Sequence, residues 1–165
     1  MADIIRPLVE SDAEALLALR IENRTFMPPY EPDREDTFFT LERQGDIAGN
    51  EPGLAFGILD DGVLAGTIVL SNLALGPFRS ASVGYWVDQK RNGRGLASLA
   101  LAAMVEHAFG ELDLHRLEAA SLTDNIASQR VLEKNRFEPI GLARKYLHIN
   151  GAWRDHILFQ RTNDN

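Results

Sequence analysis

The stretch Asp88-Gln89-Lys90-Arg91-Asn92-Gly93-Arg94-Gly95-Leu96-Ala97 lies between a strand-like run, Ala81 to Val87, and a segment from about Arg94 to Phe109 that is apolar nearly all round. A helix of that kind is buried on most sides. Strand, glycine turn and buried helix in succession set consecutive amides at a helix N-terminus, which carries about half a positive charge and suits an anion. Gly93 and Gly95 let a ligand approach the main chain without meeting a Cβ, and Lys90, Arg91 and Arg94 add mobile positive charge. Together they suit a pyrophosphate, which needs several donors. The plainer alternative is a tight turn with solvated cations. A Walker loop is excluded, because its G-x-x-x-x-G-K-[ST] spacing is absent. Gly93-x-Gly95-x-x-Ser98 approximates a dinucleotide fingerprint, but that motif opens the first strand-helix unit of a parallel sheet. Here two antiparallel strands precede it, and Glu111 and Asp113, near the distance of a ribose-binding acid, fall in a turn.

Outward from this unit, Leu54 to Leu59 and Val63 to Leu70 are strand-like runs joined by Asp60-Asp61-Gly62, a tight-hairpin signal. Ile4 to Leu8 reads as a first strand, followed by a Ser11-x-x-Glu14 capping box and a helix bearing Leu16, Leu17 and Leu19. Phe26-Met27-Pro28-Pro29-Tyr30-Glu31-Pro32 is a loop, since its prolines remove donors, and a second helix is expected from about Arg34 to Arg43. After the central helix come a strand from Arg116 to Leu122, a helix capped by Asp124 and running to about Asn135, and a hairpin, Phe137 to Leu147 with Trp153 to Arg161, turned at Asn150-Gly151. The order predicts an α+β fold: a mixed, mostly antiparallel sheet flanked by helices around one strand-loop-helix unit.

The chain has 165 residues, 45% hydrophobic and 25% charged, with no repeat and no linker, so one domain over residues 1–165 is expected. Its net charge of −7 argues against a nucleic-acid backbone binder. The charge is uneven: residues 1–82 hold 14 acidic and 6 basic side chains, whereas residues 83–165 hold 10 and 11. With no cysteine, disulfides, thiolate metal sites and a cysteine nucleophile are excluded. His107, His115, His148 and His156 have no metal-ligand spacing, and no metal is expected. Neither a signal peptide nor an 18-residue apolar span is present, so the expected location is the cytoplasm, with no membrane partner.

These residues resemble the GNAT acetyltransferases, whose loop reads Q/R-x-x-G-x-G/A; Lys90-Arg91-Asn92-Gly93-Arg94-Gly95 matches with lysine at the first position. A second signature is similar to Asn125-Ile126-Ala127-Ser128-Gln129-Arg130-Val131-Leu132-Glu133-Lys134, followed by Phe137, with Arg136 where relatives carry glycine. The likeness extends to Glu22-Asn23-Arg24, Tyr30-Glu31-Pro32 and the closing Tyr146 to His156, and is greatest for the ribosomal-protein-alanine N-acetyltransferases.

The resemblance implies acetyl-coenzyme A as donor, its pyrophosphate on Arg91, Asn92, Gly93, Arg94, Gly95, Leu96 and Ala97, with Lys90 and Lys134 adding charge. It implies a bulge that splays Ser82 to Val87 from its neighbour, so that an amide of Trp86 or Val87 meets the thioester carbonyl as an oxyanion donor. Asn125 would bond the pantetheine, and Ser128 would lie near the sulfur as the catalytic group toward the thiolate. For the base, relatives have acids where Ala120 and Lys145 stand here; Glu31, in the loop resembling the acceptor segment, is the candidate, and Glu118 reads as structural, paired with an arginine. The acceptor implied is a protein N-terminal amine such as that of a ribosomal protein. A small amine, or a non-catalytic coenzyme A module on the same fold, is the alternative. The acidic first half suits a cationic acceptor, and the exposed closing strands suit a monomer or a homodimer.

Overall fold

The computed structural model describes residues 3–49 and 54–164. Its strands are β1 (Ile5–Pro7), β2 (Ala55–Asp60), β3 (Val63–Ala74), β4 (Ser80–Val87), β5 (Arg116–Leu122), β6 (Glu138–Ile149) and β7 (Ala152–Thr162). Its helices are α1 (Ala13–Glu22), α2 (Leu41–Gly49), α3 (Leu96–Gly110) and α4 (Ile126–Lys134). The strands form one sheet in the order β1-β2-β3-β4-β5-β7-β6, in which only the β4–β5 pair is parallel. This is the α+β architecture the order of elements predicts. No helix among the described residues is long and apolar enough to cross a membrane.

Both tight hairpins form where the Asx-Gly pairs stand. Asp61 and Gly62 have φ of 50° and 80°, and Asn150 and Gly151 have 51° and 80°, the left-handed pair that matches strand twist. One sheet face packs on α3, whose Ala100, Leu101, Met104 and Ala108 are fully buried against Ile58, Ile68 and Leu117. The other face carries Leu59, Leu64 and Trp86 against Leu16 and Leu19 of α1 and Ala48 of α2. A sheet covered on both sides explains why β2 is buried along nearly its whole length.

Four local expectations need correction. The Ser11-Glu14 box does not form: the Asp12 carboxylate accepts from the Val9 amide at 2.9 Å and is gripped by Arg6, which makes Asp12 the capping acid. The second helix starts at Leu41, not Arg34, because the Thr40 hydroxyl accepts from the Arg43 amide, while Asp36–Phe39 forms a short 3-10 turn. Asn125, not Asp124, caps α4, its side chain accepting from the Ser128 amide at 3.2 Å. Finally, Gly95 sits at φ 78°, outside the helical region, so α3 begins at Leu96 and Arg94 stays in the loop.

Candidate active site

The two parallel central strands pair only from Ser80 to Ser82 with Arg116 to Glu118. Beyond that they diverge, and a cleft of about 900 Å³ opens between them, running from the loop before α3 to the proline loop. The expected bulge is not where the split is. The β3–β4 register is continuous from Gly66↔Val87 to Ser71↔Ser82, and the irregularity lies past Ser71 at the far end. What holds β4 to β3 while it leaves β5 is close approach: a Cβ on Gly66 would stand 2.1 Å from the Trp86 carbonyl oxygen. The Asp88 amide donates to the Ala65 carbonyl at 2.7 Å. Strand alternation therefore turns the Trp86 amide to β3 as well, and directs the amides of Tyr85 and Val87 into the split. Of the two expected oxyanion donors, Val87 faces the cleft with its amide and Trp86 does not.

The loop is fixed from below by a buried polar pair. Asn23, just past α1, donates to the Asp88 carboxylate at 3.1 Å and accepts from the Gln89 amide at 2.9 Å. Above this anchor, Gly93 and Gly95 have φ of 77° and 78°, and the space where their side chains would stand is open. Asn92, Gly93, Gly95, Leu96 and Ala97 line the cleft beside the first, unpaired amides of α3. The cations are more dispersed than their spacing suggests. Arg91 lines the cleft but pairs with Asp60 at 2.9 Å; Arg94 pairs with the same carboxylate, and Lys90, 72% exposed, pairs with Glu22. Lys90, Arg94 and Lys134 are not among the residues lining the cleft. Lys134 is in the last turn of α4, whereas Arg130, one turn earlier, does line it and had no separate signal in the sequence.

Ser128, in the first turn of α4, places its hydroxyl 3.1 Å from that of Tyr85. Burial pushes the Tyr85 phenol up to about 12, only partly offset by the bond to Ser128, so it stays a proton donor at neutral pH. Tyr85 escaped the sequence reading; the signal was alternation on β4, which sends it to the α4 face when Trp86 goes to the α1 face.

On that α1 face, the Arg20 guanidinium lies 4.2 Å from the Trp86 ring centroid and 5.0 Å from that of Phe38. Burial lowers its pKa, and Glu31 partly restores it. Glu31 lines the cleft as expected, but Arg20 holds its carboxylate at 3.0 Å and Arg34 lies at 3.7 Å. Glu118 pairs with Arg116 at 2.7 Å, the structural role its strand position predicts. The acidity of the first half is largely offset at the site, because Glu31, Asp60 and Glu22 each meet a cation. The proline loop is tied to the closing hairpin: Pro32 bridges Ile149, and the Asn150 amide donates to Asp33 at 3.0 Å.

Sequence and fold comparisons agree. Residues 4–138 match the acetyltransferase (GNAT) domain. A probable N-acetyltransferase, YjcK of Bacillus subtilis, is 38% identical over 92% of this chain and 89% of its own. The ribosomal-protein-S5-alanine acetyltransferase of Vibrio fischeri superposes with a TM-score of 0.92 at 31% identity, over 100% of this chain and 96% of that one. Mycobacterium smegmatis RimJ, solved in complex with a coenzyme A disulfide, gives 0.89 at 33% identity over 97% and 81%. The overall fold is thus shared along with the sequence, and the chain belongs to the GNAT acetyltransferase family.

Proposed function

We propose that this single-domain enzyme acetylates the N-terminal amine of a protein, a ribosomal protein in the first instance, in the cytoplasm. The carrying observation is the β4–β5 split with free amides on one wall and a glycine loop at its end. Acetyl-coenzyme A supplies an activated acyl carbon on a thiol leaving group. The amides of residues 92–97 hold the pyrophosphate, with Arg91 and Arg130 as the side-chain cations nearest the cleft. Val87 donates its amide to the carbonyl oxygen as charge develops there, a contribution worth roughly 3 kcal/mol where such donors have been removed. Asn125 caps α4 and so fixes Ser128, whose hydroxyl, backed by Tyr85, donates to the departing sulfur. Glu31 positions Arg20 on the acceptor side.

The protein N-terminus is favoured over a small amine because the relative of Vibrio fischeri, matched along the whole chain, is named for a ribosomal-protein alanine. Incubation with acetyl-coenzyme A and peptides beginning with Ala or Ser is expected to release thiol in step with peptide acetylation, read by mass spectrometry. Transfer to polyamines or free amino acids with none to any peptide would overturn the acceptor assignment.

A further inference from the structure

We propose that His156 is the general base that takes the proton from the attacking amine, an inference that rests on the acetyltransferase reading above. Three observations carry it. His156 lines the cleft although it is 3% exposed, so the ring is packed yet reaches the site. Its Nδ1 lies 3.1 Å from the Arg154 carbonyl oxygen. A carbonyl only accepts, so Nδ1 carries the hydrogen and Nε2 is left with its lone pair. Nε2 has no hydrogen-bond partner among the described residues. Register then fixes the side of the sheet on which the ring stands. Phe159 and its partner Ala119 belong to the core under α3, and the β5–β7 ladder is unbroken from Arg116↔Thr162 to Leu122↔His156. Three residues from Phe159, His156 lies on the opposite face, the one that carries Trp86 against α1.

The hydroxyl pair and the base are therefore on opposite sides of the split, Tyr85 with Ser128 on one and His156 on the other. The competing base, Glu31, is spoken for by Arg20; on the His156 face of β5, Ala120 and Leu122 line the cleft, while Glu118 lies at the paired end of the strand and is held by Arg116. Around the ring, the Tyr146 ring of β6 lies tilted with its centroid 5.4 Å away, β6 also carries Arg144 and Lys145, β7 carries Arg154 and Asp155, and Arg20 and Glu31 line the cleft from the helical side. In the step, the amine nitrogen forms the bond to the acyl carbon and the carbon-sulfur bond breaks, its electron pair leaving on sulfur. The amine proton goes to Nε2 and on to solvent, and the thiolate, hydrogen-bonded by the Ser128 hydroxyl that Tyr85 holds in place, takes its proton from solvent.

The test joins kinetics to a ring spectrum. His156→Asn keeps a donor near the Arg154 carbonyl but has no base; it is expected to lower kcat for an Ala-terminated peptide about 100-fold while coenzyme A affinity stays within twofold of wild type. Added imidazole is expected to restore part of the rate to His156→Ala. In wild type, long-range proton-nitrogen NMR is expected to show the Nδ1–H tautomer, with the Nε2 signal moving when a coenzyme A conjugate of the peptide is added. An active wild type with His156→Asn within threefold of it, or an Nε2–H tautomer, would overturn the assignment alone. A wild type that acetylates no amine would overturn the function reading and this assignment together.

Discussion

The hydroxyls of Tyr85 and Ser128 stand 3.1 Å apart across the gap between β4 and α4, and the buried phenol is held neutral. The pair is one hydrogen-bonded unit, in which the phenol keeps its proton and orients the Ser128 hydroxyl. Either single change, Tyr85→Phe or Ser128→Ala, is expected to lower turnover about tenfold, and the double variant little further, because members of one hydrogen-bonded unit are not additive. A thiol-release assay on all four proteins closes the cycle; full additivity would separate the two residues functionally.

The same phenol gives a stability signature. The folded protein keeps the proton to about 12, whereas the unfolded chain releases it near 10. Its contribution is whole below pH 10 and is lost as pH rises through 12, on the order of 2 kcal/mol. Denaturant melts of wild type and Tyr85→Phe between pH 9 and 12 are expected to converge at the alkaline end.

At the acid end, the Arg6 guanidinium holds the Asp12 carboxyl below its usual range. That support is present above the ordinary carboxylate pKa and disappears as pH falls through the depressed one. With Arg6 41% exposed, screening limits it to about 1 kcal/mol. Asp12→Asn is expected to flatten the acid limb of the thermal midpoint without changing coenzyme A affinity.

Asn23 is 1% exposed and joins the end of α1 to the loop through Asp88 and Gln89. Asn23→Ala strands a buried carboxylate and an amide, at a cost of about 1–3 kcal/mol. It is also expected to weaken coenzyme A binding by calorimetry, although Asn23 is not expected to touch the donor.

Arg130→Ala is expected to raise KM for acetyl-coenzyme A about tenfold, the scale of one charge-assisted hydrogen bond, and Lys134→Ala to leave it unchanged. Gly95→Glu, which puts a carboxylate in front of the α3 amides at a left-handed position, is expected to abolish donor binding; retained binding would displace the pyrophosphate from this loop.

How far the sequence carries can be judged from these residues. The strand-loop-helix around Gly93 and Gly95 and the two Asx-Gly hairpins were legible because local backbone chemistry dictates them. Thr40 was overlooked as a cap because three prolines and Arg34 drew the helix start too early. Lys90 and Arg94 read as ligand-facing charges, but Glu22 and Asp60, remote in sequence, take them up. Tyr85 and His156 were visible as residue types, yet their roles depend on which sheet face each occupies, and that follows only from strand register.

The bond between Asn150 and Asp33 spans 117 residues, and β7 inserts between β5 and β6. During synthesis, the donor loop and its helix are made well before the wall that confronts them. A nascent chain ending before residue 152 has no β7, hence no His156 and no partner for the free edge of β5. On the proposed reading, activity is expected only after β7 has been made, and its appearance on the ribosome would serve as a clock for docking of the final hairpin.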